Sequence, residues 1–238
     1  MATFLLIHGS WHGGWSFDPI AAELQARGHK VLAPDLPLGP DTPTLAKWAR
    51  FTVESAKACG EKVILAGHSR GGLVISAAAE LAPDAFESLF YISAFLVANG
   101  KTAAQFLEAA PRYQPFTDGL SVSPDGQWLM LSQDGATETM AQQCTARYRD
   151  ECAPRLQREP AEPLDVVMKL TPERYGSLKR AYFECTEDLA ISIKVQRLMQ
   201  NDLPCDRVIT VNADHTPMLS ATEQLIDALD EWANDTRR

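Results

Sequence analysis

The apolar residues of this chain occur in short runs that alternate with stretches of helical spacing. Short runs bounded by turn residues are typical of strands buried on both faces of a parallel sheet. They predict strands at Thr3–Ile7, Val31–Ala33, Lys62–Ala66, Ser88–Ala94, Leu178–Glu184 and Arg207–Val211. Repeated strand–helix–strand units imply a mainly parallel sheet with helices on both faces, so the predicted fold class is α/β.

Capping residues help to place the helices between these strands. Asp18 fits the N-cap of a helix with Pro19 at its first position, and Gly28 fits the end of that helix. Helical spacing predicts further helices at Thr44–Cys59, Gly72–Leu81, Ile191–Gln200 and Met218–Ala233.

The alternation of strands and helices stops between residues 97 and 176. This stretch has a capping box from Thr102 to Gln105, an apolar run at Trp128–Leu131 between two turns, and scattered prolines. It is too long for a plain connection. We therefore predict an inserted cap, here named the cap segment (residues 97–176), on a core formed by residues 1–96 and 177–238. The alternative is an extra helical layer without a role in substrate binding.

A glycine-rich turn, Gly67–Gly71, lies between a predicted strand and a predicted helix and reads Gly-His-Ser-Arg-Gly. A nucleophile elbow typically has the motif Gly-x-Ser-x-Gly between a strand and a helix. Its serine is exposed at the N-terminus of that helix. Ser69 is therefore the candidate nucleophile. The alternative is a tight turn with an idle serine.

A nucleophilic serine needs a base, usually a histidine that a carboxylate orients. Of the five histidines in the sequence, His215 alone follows Ser69, just after the last predicted strand. The chain order Ser, acid, His that accompanies this type of elbow selects the same residue. We expect the His68 side chain to point away from Ser69 and His29 to be exposed.

The acid should follow the strand that precedes the last one, because both loops then meet at one edge of the sheet. Asp188 fits this position, with Glu187 and Asp214 as rivals. Asp188 could instead be a helix cap.

An ester-cleaving site also needs two main-chain donors for the developing oxyanion. The N–H of Arg70 and the N–H of Ser10, in the glycine-rich loop after the first strand, are the candidates. We expect His8 and His12 to shape this loop by hydrogen bonds, and we predict no metal site, because the sequence lacks the intervening glutamate of a zinc-binding helix.

Charge and composition exclude several classes of partner. The net charge of −9 and the lack of a basic run disfavour nucleic acid. No apolar stretch is long enough for a membrane helix, and the N-terminal apolar run is too short for a leader, so we expect a cytoplasmic protein. The five cysteines are odd in number and unclustered, which favours free thiols.

Four motifs resemble those of the hydroxynitrile lyase and methylesterase branch of the α/β-hydrolases, which includes plant salicylate-binding methylesterases and small bacterial esterases. They are His8–Trp15, Gly67–Gly72, Arg174–Arg180 with Glu184–Asp188, and Ala213–Leu219. The resemblance implies the α/β-hydrolase fold with Ser69, Asp188 and His215 as triad, the N–H groups of Ser10 and Arg70 as oxyanion hole, no cofactor, and a homodimer.

Two departures from this branch bear on the reaction. Hydroxynitrile lyases of the branch have a threonine after the first histidine and a lysine after the catalytic one, where this chain has Gly9 and Thr216. Thr216 cannot supply the cation that stabilises departing cyanide. Arg70 stands where plant members usually have leucine; it could pair with an acid of the cap, meet a polar substrate or be solvated.

We therefore predict a serine carboxylesterase that acts on small esters through an acyl-enzyme. The alternatives are a carbon–carbon lyase on the same triad and a ligand receptor without catalysis. Expected substrate contacts are Gly9, Trp128, Thr216 and Met218.

Overall fold

The computed structural model describes residues 1–39, 43–110 and 113–236. The strands in these residues are β1 (Thr3–Ile7), β2 (Lys30–Leu32), β3 (Val63–His68), β4 (Phe86–Ile92), β5 (Leu120–Val122), β6 (Trp128–Leu131), β7 (Glu159–Pro160), β8 (Arg180–Cys185) and β9 (Arg207–Val211). The helices are α1 (Asp18–Ala26), α2 (Leu45–Ala58), α3 (Gly71–Leu81), α4 (Ala103–Leu107), α5 (Gln114–Gly119), α6 (Gln133–Met140), α7 (Thr145–Glu151), α8 (Ile193–Asp202), α9 (Pro217–Ser220) and α10 (Thr222–Asp235).

Six of these strands form the central sheet, in the order β2-β1-β3-β4-β8-β9. Every pair of neighbours is parallel, which confirms the predicted α/β class. Since all six strands run the same way, the loops after β1, β3, β8 and β9 meet at one edge of the sheet, where ligands bind in open α/β folds.

Apolar clusters cover both faces of this sheet. Successive residues of a strand point to opposite faces, so Leu5 of β1 packs in one cluster and Phe4 in the other. The first cluster includes apolar residues of α2, α3 and α8, and the second includes those of α1 and α10. The near-continuous hydrophobic runs of the sequence therefore follow from burial on both sides.

Several predicted boundaries differ from the structure. The helix predicted at 218–233 is two helices, α9 and α10, separated at Ala221, whose φ of −140° is not helical. Asp18 lies in the first turn of α1 and not at its N-cap, because a 3₁₀ turn over Gly14–Phe17 leads directly into the helix. Gly28 has a φ of +89°, as expected of the residue that ends α1.

The cap segment lies between β4 and β8, which are neighbours in the central sheet. It contains α4 to α7 and a small antiparallel sheet of β5, β6 and β7. The predicted capping box is present at the start of α4: the Thr102 side chain accepts from the Gln105 N–H, and the Gln105 side chain accepts from the Thr102 N–H. The division at residues 97 and 176 stays a prediction. Within the described ranges, none of the helices combines the length and apolar character needed to cross a membrane.

Candidate active site

Ser69 lies at the sharp turn between β3 and α3. Its φ is +53°, in the left-handed region, which costs a non-glycine residue about 1–3 kcal/mol unless the surroundings hold it. The turn is fixed by hydrogen bonds from the Ser69 N–H to the Ile92 carbonyl (3.2 Å) and from the Gly72 N–H to the Ser69 carbonyl (3.0 Å). A Cβ on Gly71 would lie 2.4 Å from the Ile7 carbonyl oxygen, so this close turn requires glycine there.

The structure brings Ser69, His215 and Asp188 into one hydrogen-bonded line. The Ser69 hydroxyl donates to His215 Nε2 at 2.9 Å, and His215 Nδ1–H donates to Asp188 Oδ2 at 2.7 Å. All three side chains are buried. In this tautomer the free imidazole nitrogen faces the serine proton, which is the arrangement that general-base activation of a serine requires.

Four further donors surround the Asp188 carboxylate. The N–H groups of Ala190 and Ile191 donate to Oδ1 at 2.7 and 2.8 Å, and the Gln196 side-chain amide donates to Oδ2 at 3.3 Å. The Ser93 hydroxyl donates to Oδ2 as well. Because these N–H groups turn towards Asp188, α8 begins at residue 193 and not at 191 as predicted. The carboxylate is thereby held in place at the His215 ring.

The two rival acids lie elsewhere. Glu187 is exposed and accepts from the Thr186 hydroxyl at 3.1 Å. Asp214 is buried but accepts from the N–H groups of Thr216 and Gln143, both at 3.0 Å, and from the Ser220 hydroxyl at 2.6 Å. Asp214 therefore joins the loop after β9 to the cap segment.

The His68 side chain, expected to point away from Ser69, is bonded to the main chain of His215. Its Nε2–H donates to the His215 carbonyl at 2.7 Å, and the two rings are 4.8 Å apart between centroids. Burial, with a smaller effect of nearby His215, holds the pKa of His68 well below its ordinary value, so the ring stays neutral. The alternation of side chains along β3 does not predict this contact, because the group that His68 binds is a main-chain carbonyl, which every residue has. His29, expected to be exposed, is buried, and its Nε2–H donates to Asp230 Oδ1 at 2.9 Å.

His8 and His12 shape the loop after β1, as expected. His8 Nδ1–H donates to the Gly9 carbonyl at 2.9 Å, and His12 Nδ1–H donates to the Ser10 carbonyl at 2.7 Å. The Tyr148 hydroxyl donates to the other nitrogen of His12 at 2.9 Å. Burial lowers the pKa of His8 to about 3 and that of His12 to about 4, so both rings are neutral at pH 7. Among the residues with described positions, no group of side chains that could hold a metal ion is found.

The Arg70 side chain pairs with an acid of the cap segment. It is 1% exposed, and its Nε lies 2.6 Å from Glu159 Oε1. Its Nη2 donates to the Gly9 carbonyl at 3.0 Å, and the guanidinium carbon lies 4.1 Å from the centre of the Trp48 ring. Of the three alternatives for Arg70, the structure shows the pair with a cap acid. The oxyanion-hole role of the Ser10 and Arg70 N–H groups stays a prediction.

A cavity of about 330 Å³ lies between the core and the cap segment, and both Ser69 and His215 line it. Ser10 and Trp11 line it from the loop after β1. Its walls are mostly apolar, with Phe95, Ile191 and Val195 on the core side and Phe116, Leu129 and Met140 on the cap side. A concave apolar site with few polar groups is typical of small-molecule binding.

Trp128, Thr216 and Met218, three of the predicted substrate contacts, are not among the described residues lining the cavity, and their contact with substrate stays a prediction. Trp128 packs beneath the Arg158 guanidinium at 3.8 Å. The Thr216 hydroxyl donates to the Met140 carbonyl at 2.9 Å, and Met218 is fully buried in the core beside α1 and α10.

Gly9 also falls outside the described lining residues, although it adjoins the nucleophile. A Cβ on Gly9 would lie 2.7 Å from the Cβ of Ser69. The cavity residues of the cap segment carry no sequence motif, so the polar–apolar pattern offered no signal for them.

The family is decided by comparison with known proteins. A profile described as "Alpha/beta hydrolase family" matches residues 4–228, nearly the whole chain. The chain belongs to the alpha/beta hydrolase family. The resemblance drawn from the four motifs is thus confirmed, and so is the fold.

Individual alpha/beta hydrolases resemble this chain over its full length. Methylesterase 7 from Arabidopsis thaliana is 28% identical, with 97% of this chain and 96% of the relative covered. An alpha-hydroxynitrile lyase from the same plant is also 28% identical, with 98% and 97% covered. The crystal structure of polyneuridine aldehyde esterase superposes with a TM-score of 0.86 at 25% identity, covering 98% of this chain and 99% of the other.

Proposed function

We propose that this protein is a serine carboxylesterase that hydrolyses small carboxylic esters without a cofactor. The observation that carries the proposal is the Ser69–His215–Asp188 line of hydrogen bonds, which ends at a serine in the wall of an apolar cavity. Relatives named methylesterase and polyneuridine aldehyde esterase support the same reaction class.

In this mechanism Ser69 Oγ attacks the ester carbonyl while His215 Nε2 takes its proton. Asp188 orients the imidazole and stabilises the imidazolium that forms. The N–H groups of Ser10 and Arg70 donate to the oxyanion of the tetrahedral intermediate. His215 then protonates the leaving alcohol, which gives an acyl-Ser69, and a water molecule activated by His215 hydrolyses this acyl-enzyme.

In this proposal the cap segment covers the cavity and determines which esters fit. Its contribution to the cavity wall includes Phe116, Leu129 and Met140, which are apolar. Asp165 also lines this part of the cavity. A mostly apolar wall favours uncharged esters with apolar acyl or alcohol groups, and an anionic group would lose its hydration beside it.

A lyase reaction on the same triad is the second candidate, since an alpha-hydroxynitrile lyase is as similar to this chain as Methylesterase 7 is. Cyanide would need a cation beside it as it leaves. The residue after His215 is the uncharged Thr216, and its hydroxyl is bonded to the Met140 carbonyl. Nor does Gly9 leave room for a threonine without movement of Ser69. Both observations favour the esterase.

We also propose that the protein works in the cytoplasm as a homodimer and binds no nucleic acid or membrane. Free cysteines at every described position of this residue support the cytoplasm. The net charge of −9 supports the absence of a nucleic-acid partner. Sedimentation equilibrium of the purified chain tests the dimer, and a single species at the mass of one chain would contradict it.

The reaction is tested with the purified protein and a panel of p-nitrophenyl esters of increasing acyl length, alongside mandelonitrile. We expect hydrolysis of short-chain aryl esters and no cyanide release above the uncatalysed rate. Rapid cyanide release would favour the lyase. Tight binding of these esters without any turnover would favour a ligand receptor.

A further inference from the structure

A buried ion pair links the nucleophile elbow to the cap segment. Arg70 directly follows Ser69, and Glu159 belongs to β7 of the cap segment. Their side chains are 1% and 5% exposed, with Arg70 Nε 2.6 Å from Glu159 Oε1. The pair thus connects two regions that the chain separates by almost ninety residues.

Two residues of the loop after β1 are bonded to this pair, one on each side of Ser10. The Gly9 carbonyl accepts from Arg70 Nη2 at 3.0 Å. The Trp11 N–H donates to Glu159 Oε2 at 3.3 Å. Ser10, the residue whose N–H is the candidate oxyanion donor, is therefore held from both sides.

Trp11 adopts a backbone conformation that it would not hold alone. Its φ is +61°, in the left-handed region that a bulky side chain rarely occupies. Its N–H is bonded to Glu159, its carbonyl accepts from the Gln157 N–H at 2.8 Å, and its indole N–H donates to the Leu129 carbonyl at 3.2 Å. Strained residues of this kind persist where the surroundings fix them. Here all three bonds come from the cap segment.

The pair is poorly suited to stabilising the fold. Burial lowers the pKa of Arg70 and raises the pKa of Glu159, and in each case burial outweighs the attraction of the partner. Buried ion pairs often contribute no more to stability than apolar side chains of the same size would. The bonds from the pair to the main chain of Gly9 and Trp11 indicate a different role, which is to fix the position of the Gly9–Trp11 backbone.

We propose that Arg70 and Glu159 are positioning residues that hold Gly9–Trp11 so that the Ser10 N–H meets the oxyanion in the transition state. This inference rests on the proposed esterase function. It makes the cap segment part of the catalytic geometry as well as a wall of the cavity. The side chains of the pair act through the loop and do not touch the ester, so their removal weakens binding of the transition state and spares binding of the substrate.

The test compares the parent with Arg70→Met, Glu159→Leu and the double variant. Each single change leaves a buried charge without its partner, so we expect a lower melting temperature. The double variant removes both charges, so its melting temperature should return close to that of the parent. If the pair positions the oxyanion loop, kcat of the double variant stays about tenfold to a hundredfold below the parent while KM changes by less than about twofold, since losing one oxyanion donor has effects of this order or more.

Two inhibitors separate positioning from a change in the cavity. A trifluoromethyl ketone adds to Ser69 and forms an oxyanion, whereas the methyl ketone with the same chain only occupies the cavity. We expect the double variant to lose affinity for the trifluoromethyl ketone by the factor lost in kcat and to keep its affinity for the methyl ketone. Unchanged affinity for the trifluoromethyl ketone, or equal loss for both, overturns the proposal.

Controls cover misfolding and failure of the underlying function. Arg197→Met breaks a different arginine–glutamate pair, with Glu184 of β8 at 2.9 Å, and should leave both ketones unaffected. If the double variant does not fold, Glu159→Gln keeps the shape, and an unchanged ratio of the two inhibition constants in that variant overturns the proposal. Failure of the esterase function looks different: the parent then hydrolyses no ester, and Ser69→Ala binds the trifluoromethyl ketone as well as the parent does.

Discussion

The core and the cap segment contribute different kinds of group to the same cavity. The core supplies Ser69, Asp188 and His215 from loops after β3, β8 and β9, each fixed by several hydrogen bonds. The cap segment supplies apolar side chains such as Phe116 and Leu129 to the wall. Two of its polar side chains, Glu159 and Tyr148, bond instead to the loop after β1.

This division separates reaction type from substrate choice. A parallel sheet brings the ends of its strands together whatever the cap contains, so all three triad side chains come from the core. The esters that fit depend on side chains of the cap segment, which can change without disturbing the sheet. Variants of the triad should therefore abolish turnover of every ester. Variants of the cavity wall should instead change the relative rates at which different esters are hydrolysed.

The largest effect is expected for Ser69→Ala. Loss of the attacking oxygen removes the acyl-enzyme route, and triad knockouts of this kind lower kcat by on the order of a million-fold. The melting temperature should stay close to that of the parent, because only a hydroxyl is lost. Hydrolysis rates of the folded variant above a few per cent of the parent would show that the core side does not supply the nucleophile.

Asp188→Asn should lower kcat by roughly ten-thousand-fold, because the amide no longer holds the His215 tautomer that accepts the serine proton. Glu187→Gln, one residue away and exposed, should stay near parent activity. Asp214→Asn should mainly lower stability, because it weakens the bonds to Thr216, Ser220 and Gln143. Steady-state kinetics of all three variants on one ester identify the catalytic acid. If Glu187→Gln lowers kcat the most, Glu187 and not Asp188 is that acid.

The contact between His12 of the core and Tyr148 of the cap segment can be tested by the pH dependence of stability. Burial lowers the pKa of His12 from 6.5 to about 4. Between pH 4 and pH 6.5, therefore, His12 is protonated in the unfolded chain and neutral in the folded chain. Stability is therefore lost as pH falls from 6.5 towards 4, by about 1.4 kcal/mol per pH unit for this one group. His12→Asn should remove that share of the slope in urea unfolding measured at pH 7 to 5. Identical slopes for parent and variant would contradict a buried neutral His12.

Neighbouring residues of β6 offer the smallest but sharpest contrast within the cap segment. Leu129 lines the cavity, whereas Trp128 faces the other side of the strand and packs under Arg158. Leu129→Phe should shift the ratio of kcat/KM for short over long acyl esters by about tenfold. Trp128→Ala should leave that ratio unchanged and lower the free energy of unfolding by about 3 kcal/mol. A changed ratio in Trp128→Ala would restore the original expectation that this residue contacts substrate.

The sequence predicted the core well because its signals are local and periodic. β1 and β9 have the predicted limits, and the other four sheet strands differ by one or two residues. The elbow at Ser69 and the residues placed near it, Asp188 and His215, could be deduced because parallel strand ends must meet at one edge. Their catalytic roles remain predictions that the variants above test.

The cap segment could not be predicted to the same depth. Trp128 was expected to face substrate because it belongs to the most apolar run of the cap segment, but in β6 it is Leu129 that lines the cavity, and Trp128 lies on the opposite face of the strand. Met218 and Thr216 follow His215 in sequence, yet α9 directs them into the core and towards Met140. The Arg70–Glu159 contact joins residues almost ninety positions apart in sequence, so no local pattern identifies Glu159 as the partner.

The nucleophile is tested most directly by covalent trapping. A fluorophosphonate reacts with an activated serine, and mass spectrometry of the digested protein locates the adduct. We expect one adduct per chain on the peptide that contains Ser69, loss of ester hydrolysis in proportion to labelling, and no adduct in Ser69→Ala. Labelling at a different residue, or full hydrolytic activity in a completely labelled protein, would contradict Ser69 as the nucleophile of a serine esterase.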